Sequence, residues 1–174
     1  MRASVPVWDP FVRIFHWSVA VAFIACRFAT EGGDPPHEWL GYGAAALVGM
    51  RVGWGFVGQG AARWSDFWPT PSRLATQLRE MRAGRPHRHH GHSPIGAVVM
   101  IGMMAGLVGL AATGYAMEEI DYFWGDERML AVHEWLSDAV LVLAVIHVCA
   151  AIVQSIWLRE NLPLSMITGR RRPR

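Results

Sequence analysis

The chain contains no lysine, and all sixteen of its basic side chains are arginine. Charge of either sign is scarce: 17% of the 174 residues are charged, against about 25% in an ordinary soluble domain. There are two cysteines, Cys26 and Cys149, both inside apolar runs. They read as small hydrophobes, not as a disulfide or a metal pair. No CxxCH motif occurs, so any haem would be held without covalent attachment. The apolar stretches also read as free of carboxylates beyond their ends, which argues against a proton relay built on buried acids.

What the chain has in abundance is hydrophobic surface: 52% of its residues, with a mean hydropathy of +0.21. Its length suits a single domain, residues 1–174. Four apolar segments, at about residues 11–28, 37–57, 94–117 and 130–158, are long enough to cross a bilayer. The first resembles a signal peptide in position only. His16 interrupts its centre, and Arg27 closes it where a small-residue cleavage site would stand, so it reads as a retained helix. Asp34 is placed to cap the second, with prolines tolerated in the first turn. The small residues of the second segment (Gly41, Gly43, Ala44, Gly49 and Gly53) suit either close helix contact or space for a flat cofactor. The third has neither charge nor histidine, and its glycines at 96, 102, 106 and 109 suit helix packing.

The expected architecture is therefore all-α, an integral membrane four-helix bundle. Its long loop, residues 58–93, carries six arginines against Asp66 and Glu80. Within it PSRLATQLREMRAG places Leu74, Leu78 and Met81 at helical spacing behind Pro71. That pattern predicts a short amphipathic helix lying on the membrane surface. The HRHHGH run at 87–92 reads as a solvated loop, with casual metal binding as the alternative. The loop and the tail, residues 159–174, together hold eleven arginines. The opposite links hold seven carboxylates (Glu31, Asp34, Glu118, Glu119, Asp121, Asp126 and Glu127) and Arg128. The positive-inside rule then makes both termini and the long loop cytoplasmic. Arginines gathered this way report membrane topology and not a nucleic-acid partner. Tryptophans near the helix ends suit an interfacial belt.

Four histidines fall inside or at the start of these segments, which is costly placement for an ionisable group. His133 and His147 lie fourteen positions apart, about 21 Å along one helix and within about 40° of the same face. Counting depth along each span gives an inner pair, His16 with His147, and an outer pair, His37 with His133. The outer two share a local sequence, HEWL at 37–40 and at 133–136. Two imidazoles from facing helices, at each of two levels, match the axial ligation of two b haems. Zinc needs three or four ligands converging on one point, and these groups stand about 20 Å apart. Full axial ligation leaves one-electron transfer as the chemistry. Arg51, Arg27 and Arg13 are candidates for contact with haem propionates. Snorkelling to lipid phosphates explains Arg13 and Arg27 equally well.

VWDPFVRIFHW, HEWLGYGAAALVGMRVGWGFVG, GHSPIG, and HEWL and IHVCA before LRENLPLSMITGR are similar to the bacterial cytochrome b-561 and hydrogenase b-type cytochrome family. The likeness runs from about Val7 to Gly169. It implies a four-helix membrane bundle of the bacterial inner membrane with two non-covalent b haems, held at His16, His37, His133 and His147. It also implies electron exchange between a quinone, ubiquinone or menaquinone, and a periplasmic redox partner. Family members differ in that partner: a hydrogenase or other reductase, a soluble cytochrome c, or superoxide itself. If the chain is an enzyme, the resemblance implies a quinone-linked membrane oxidoreductase. Four spans here, where hydrogenase subunits commonly have an extra one, weaken the hydrogenase expectation.

Overall fold

Pro10 has no amide hydrogen, and the residue before it is an aspartate; together they start the first helix. In a computed structural model, which describes residues 5–85 and 91–171, α1 spans Pro10–Phe28. The Asp9 Oδ1 accepts the Val12 amide at 2.8 Å, satisfying a donor that has no intrahelical partner. Pro10 at the first position gives up a hydrogen bond the helix could not have made. The second helix, α2, spans Pro35–Val57 and begins in the same way, with two prolines behind Asp34. Its first turn closes on the Asp34 carbonyl, which accepts from Glu38 N at 3.2 Å.

Among the described residues five further α-helices follow: α3 (Trp64–Phe67), α4 (Pro71–Arg82), α5 (Pro94–Glu119), α6 (Glu127–Leu158) and α7 (Leu162–Thr168). Four of the seven, α1, α2, α5 and α6, have 19, 23, 26 and 32 residues and are long and apolar enough to cross a membrane. The protein is an all-α membrane four-helix bundle. Side chains such as Ile14, Val21, Ile24, Phe56, Val153 and Ile156 are exposed along the spans, a surface that suits lipid and not water. The helix at 130–158 starts three residues earlier than expected. Asp126 caps it, its Oδ1 accepting from Arg128 N at 2.7 Å and Met129 N at 3.2 Å.

The chain clusters into two compact units, to each of which the four long helices contribute a segment. Among the described residues, the first comprises residues 5–13, 53–85, 91–101 and 145–171. Its core is Trp8, Val12 and Ala62, with Phe11, Trp54 and Met166 packed on them. The Trp8 indole donates to Ser165 Oγ at 3.2 Å, and the Trp54 indole donates to Asp9 Oδ2 at 3.1 Å. Two short strands, β1 (Val5–Pro6) and β2 (Arg170–Arg171), pair antiparallel and tie the chain's ends together. The tail, read from the sequence only as an arginine-bearing segment, contains α7. Asn161 caps α7 by accepting Leu164 N at 2.9 Å, and Gly169, at φ 76°, ends it in the left-handed conformation.

The expected amphipathic helix is α4, capped by Thr70 with Pro71 at its start. Leu78 and Met81 are exposed, as a membrane-facing stripe requires, and the buried residue is the polar Gln77, whose Oε1 accepts Ile95 N at 2.9 Å. Residues 87–90 of the histidine run lie outside the described residues. His92 is half-buried, with its ring packed on Trp8 and Phe67 at 4.9 and 5.2 Å between centroids.

The second unit comprises residues 14–52 and 102–144. Here α5 lies close against α6. A β-carbon on Gly106 would stand 2.4 Å from Val140 Cγ2, so this approach requires glycine.

Candidate functional site

The second unit holds a cavity of about 1000 Å³, walled by α1, α2, α5, α6 and the links that join them. That is the upper end of the usual size for a cofactor site. His37 and His133 both line it. Their ring centroids are 6.2 Å apart and their planes are inclined by 51°. His37 stands in the first turn of α2, and His133 stands six residues into α6, about 9 Å along its axis.

Each ring is held from behind. His37 Nδ1 lies 3.1 Å from Thr30 Oγ1, and His133 Nδ1 lies 2.8 Å from Thr113 Oγ1. On both rings Nε2 is the nitrogen left for a ligand. A metal–imidazole bond of about 2 Å on each side, with ring centres about 1 Å behind their nitrogens, would set the centroids about 6 Å apart. Two imidazoles upright on a flat macrocycle can differ by any rotation about their shared axis, so the 51° inclination is compatible with that arrangement. The residues fit a haem iron held between two helices. No group of three or more His, Cys, Asp or Glu suited to a metal ion occurs among the described residues.

Space for a flat group comes from α2. A β-carbon at Gly41 would meet nothing within 4 Å, and Gly41 lines the cavity one turn after His37. Of the two uses open to the small residues of α2, the structure assigns Gly41 to open space. The glycines of α5 do the packing instead: Gly102, Gly106 and Gly109 lie against Leu143, Val140 and Leu136 of α6.

The three arginines have separate surroundings. Arg27 lines the cavity and forms an ion pair with Asp138, 3.0 Å away. Asp138 lies eleven residues inside α6, so the reading of the spans as free of carboxylates is corrected at this position. Arg13 lies in the first unit, its guanidinium donating to the Ile167 carbonyl. Arg51 is 1% exposed, a buried guanidinium within a membrane span. His16 is half-buried on α1 in the second unit, with its ring edge-on to Trp17 at 5.1 Å. His147 is half-buried on α6 in the first unit.

Thr30, Thr113 and Asp138 escaped the sequence reading. Thr113 had a signal, as the one threonine of α5, set inside its apolar run. Thr30 had none. The cavity's rim is acidic, with Glu38, Glu118, Asp126, Glu127 and Glu134 joining Asp138 against Arg27.

A membrane four-helix bundle with two facing imidazoles on a cofactor-sized cavity has the layout of a b-type cytochrome. The chain belongs to the prokaryotic cytochrome b561 family, which it matches over residues 7–169. It is therefore a haem b protein of electron transfer and a multi-pass bacterial membrane protein. Among its relatives is the Probable Ni/Fe-hydrogenase B-type cytochrome subunit of Rhodobacter capsulatus, 24% identical over 216 positions, covering 98% of this chain and 82% of the relative. The protein of the same name from Rhizobium leguminosarum bv. viciae is 25% identical, covering 98% and 90%. That from Azotobacter vinelandii is 24% identical, covering 97% and 88%. No solved structure matches.

Proposed function

We propose that this chain, acting as one membrane domain, moves single electrons through two b haems. One is held by His37 and His133, the other by His16 and His147. The observation that carries the reading is the approach of His37 and His133, at 6.2 Å, each with Nδ1 engaged and Nε2 left over. Bound haem would supply a one-electron couple with both axial positions filled. The protein's part is to hold the rings, exclude water and place the carriers. Helix α6 carries His133 and His147 fourteen residues apart, about 21 Å of rise, which is too far for one group and suits two carriers in series.

The proposed partners are ubiquinone or menaquinone in the bilayer and a soluble redox protein in the periplasm, such as a cytochrome c. The membrane is the bacterial inner membrane, with termini and arginine-rich loop cytoplasmic. The acidic cavity rim then faces the periplasm, where it favours a basic partner over an anion. Superoxide is thereby disfavoured as a substrate, and stopped-flow haem reduction by superoxide tests that choice. Arg51, buried within α2, is the best placed of the three arginines for a propionate or interior anion.

The names of the relatives favour a second reading, a subunit delivering electrons to or from a hydrogenase. The 216 aligned positions exceed the 174 residues of this chain, so the relative from Rhodobacter capsulatus has residues within the match that are missing here. Reduced-minus-oxidised spectroscopy of purified protein tests the main reading. Low-spin b bands and a haem-to-protein ratio near two are expected, falling to about one in His133→Ala. Unchanged haem content in His133→Ala would overturn the pairing.

A further inference from the structure

Two threonines from different parts of the chain touch the same atom of the two facing histidines. Thr113 of α5 lies 2.8 Å from His133 Nδ1, and Thr30, in the link after α1, lies 3.1 Å from His37 Nδ1. A threonine in or just after a helix habitually bonds back to a carbonyl one turn earlier. Both do so: Thr113 Oγ1 reaches Gly109 O at 2.9 Å and Leu110 O at 3.1 Å, and Thr30 Oγ1 reaches Cys26 O at 3.2 Å and Ala25 O at 3.4 Å. That habit leaves the third contact unexplained in each case, and it is the same contact twice.

The proton count explains it. A hydroxyl has one hydrogen to donate and two lone pairs, whereas a carbonyl can only accept. With its hydrogen directed to a helix carbonyl, each threonine can meet the ring only as an acceptor. Nδ1 must then carry the ring hydrogen. A neutral imidazole has one N–H, so Nε2 is left with a free lone pair on both rings. Threonine is also stiff at χ1, so an oxygen anchored to its own helix gives the ring a fixed direction in which to donate.

We propose that Thr30 and Thr113 are positioning residues that hold His37 and His133 in the Nδ1–H form and set how strongly the two rings donate to a shared haem iron. This rests on the reading of His37 and His133 as axial ligands. An acceptor behind a ligating histidine raises the basicity of the ligating nitrogen. A more basic nitrogen favours the oxidised, more positive iron. The two hydroxyls therefore lower the potential of this haem, and as neutral acceptors they do so without adding charge to the cavity wall.

The test uses the haem-loaded wild type and the variants Thr30→Val, Thr113→Val and Thr113→Ser. Valine keeps the branched shape and removes the acceptor, while serine keeps the hydroxyl. The readouts are redox titration, low-spin electron paramagnetic resonance and haem-to-protein ratio. Each valine variant should raise the potential of one haem, alter its resonance signature and weaken its retention about 10–100-fold. The second haem should be unaffected, and Thr113→Ser should titrate like the wild type. Valine variants that hold both haems and titrate like the wild type would overturn the proposal and leave the ligand reading intact. A wild type without haem would overturn both. If Thr113→Val loses both haems, Thr30→Val decides on the same two outcomes, because its site lies in a link outside the spans.

Discussion

Arg27, in the last turn of α1, meets Asp138, three turns inside α6, at 3.0 Å on the wall of the cavity that His37 and His133 share. Their side chains are 40% and 63% exposed, so the pair itself contributes little stability, about 0–1 kcal/mol. A carboxylate beside a bound haem would stabilise the oxidised iron. Asp138→Asn should leave the melting temperature nearly unchanged and raise the potential of the haem bound at this cavity. Redox titration checks this, and an unmoved potential would count against a haem at this position.

Gly106 allows α5 and α6 to touch. Gly106→Ala would place a β-carbon 2.4 Å from Val140 Cγ2, and the helices must shift to admit it. Overpacking of this kind costs about 1–3 kcal/mol. Thermal or denaturant unfolding in detergent should show the loss, and Gly106→Ala combined with Val140→Ala should recover part of it.

Ser165 Oγ accepts the hydrogen bond of the buried Trp8 indole. Ser165→Ala leaves that N–H without its acceptor inside the first unit's core, at a cost of about 1–3 kcal/mol. The expected result is a lower melting temperature with haem content intact, since neither residue lines the cavity. Haem loss at unchanged stability would contradict this placement.

The acidic rim makes a prediction about partners. Electron transfer with a basic soluble cytochrome c should slow steeply as ionic strength rises past the point where the Debye length falls to about 10 Å. Replacing Glu38 and Glu134 with glutamine should slow it at low salt and flatten the salt dependence. A rate indifferent to salt would indicate a partner that docks elsewhere.

Counting apolar run length located all four spans to within about three residues, because crossing a bilayer is a local requirement that a sequence must meet by itself. The same counting put His37 and His133 at one level. The short helix over Pro71–Arg82 was legible too, from its proline and its leucine spacing. The Asp9–Pro10 start of α1 was equally written in the chain and went unread.

Rotation and contact were not legible. Whether His37 and His133 would face each other depended on how two helices turn about their axes, which packing decides and spacing does not. Thr113 and His133 are 20 residues apart in sequence, and Trp8 and Ser165 are 157 apart. No local pattern marks such pairs. Sequence alone determined what could enter a membrane and that His37 and His133 would stand near the starts of their helices. Tertiary structure decided which side chains stand behind those histidines, because a hydrogen bond forms only between groups that the folded backbone has already brought within about 3 Å.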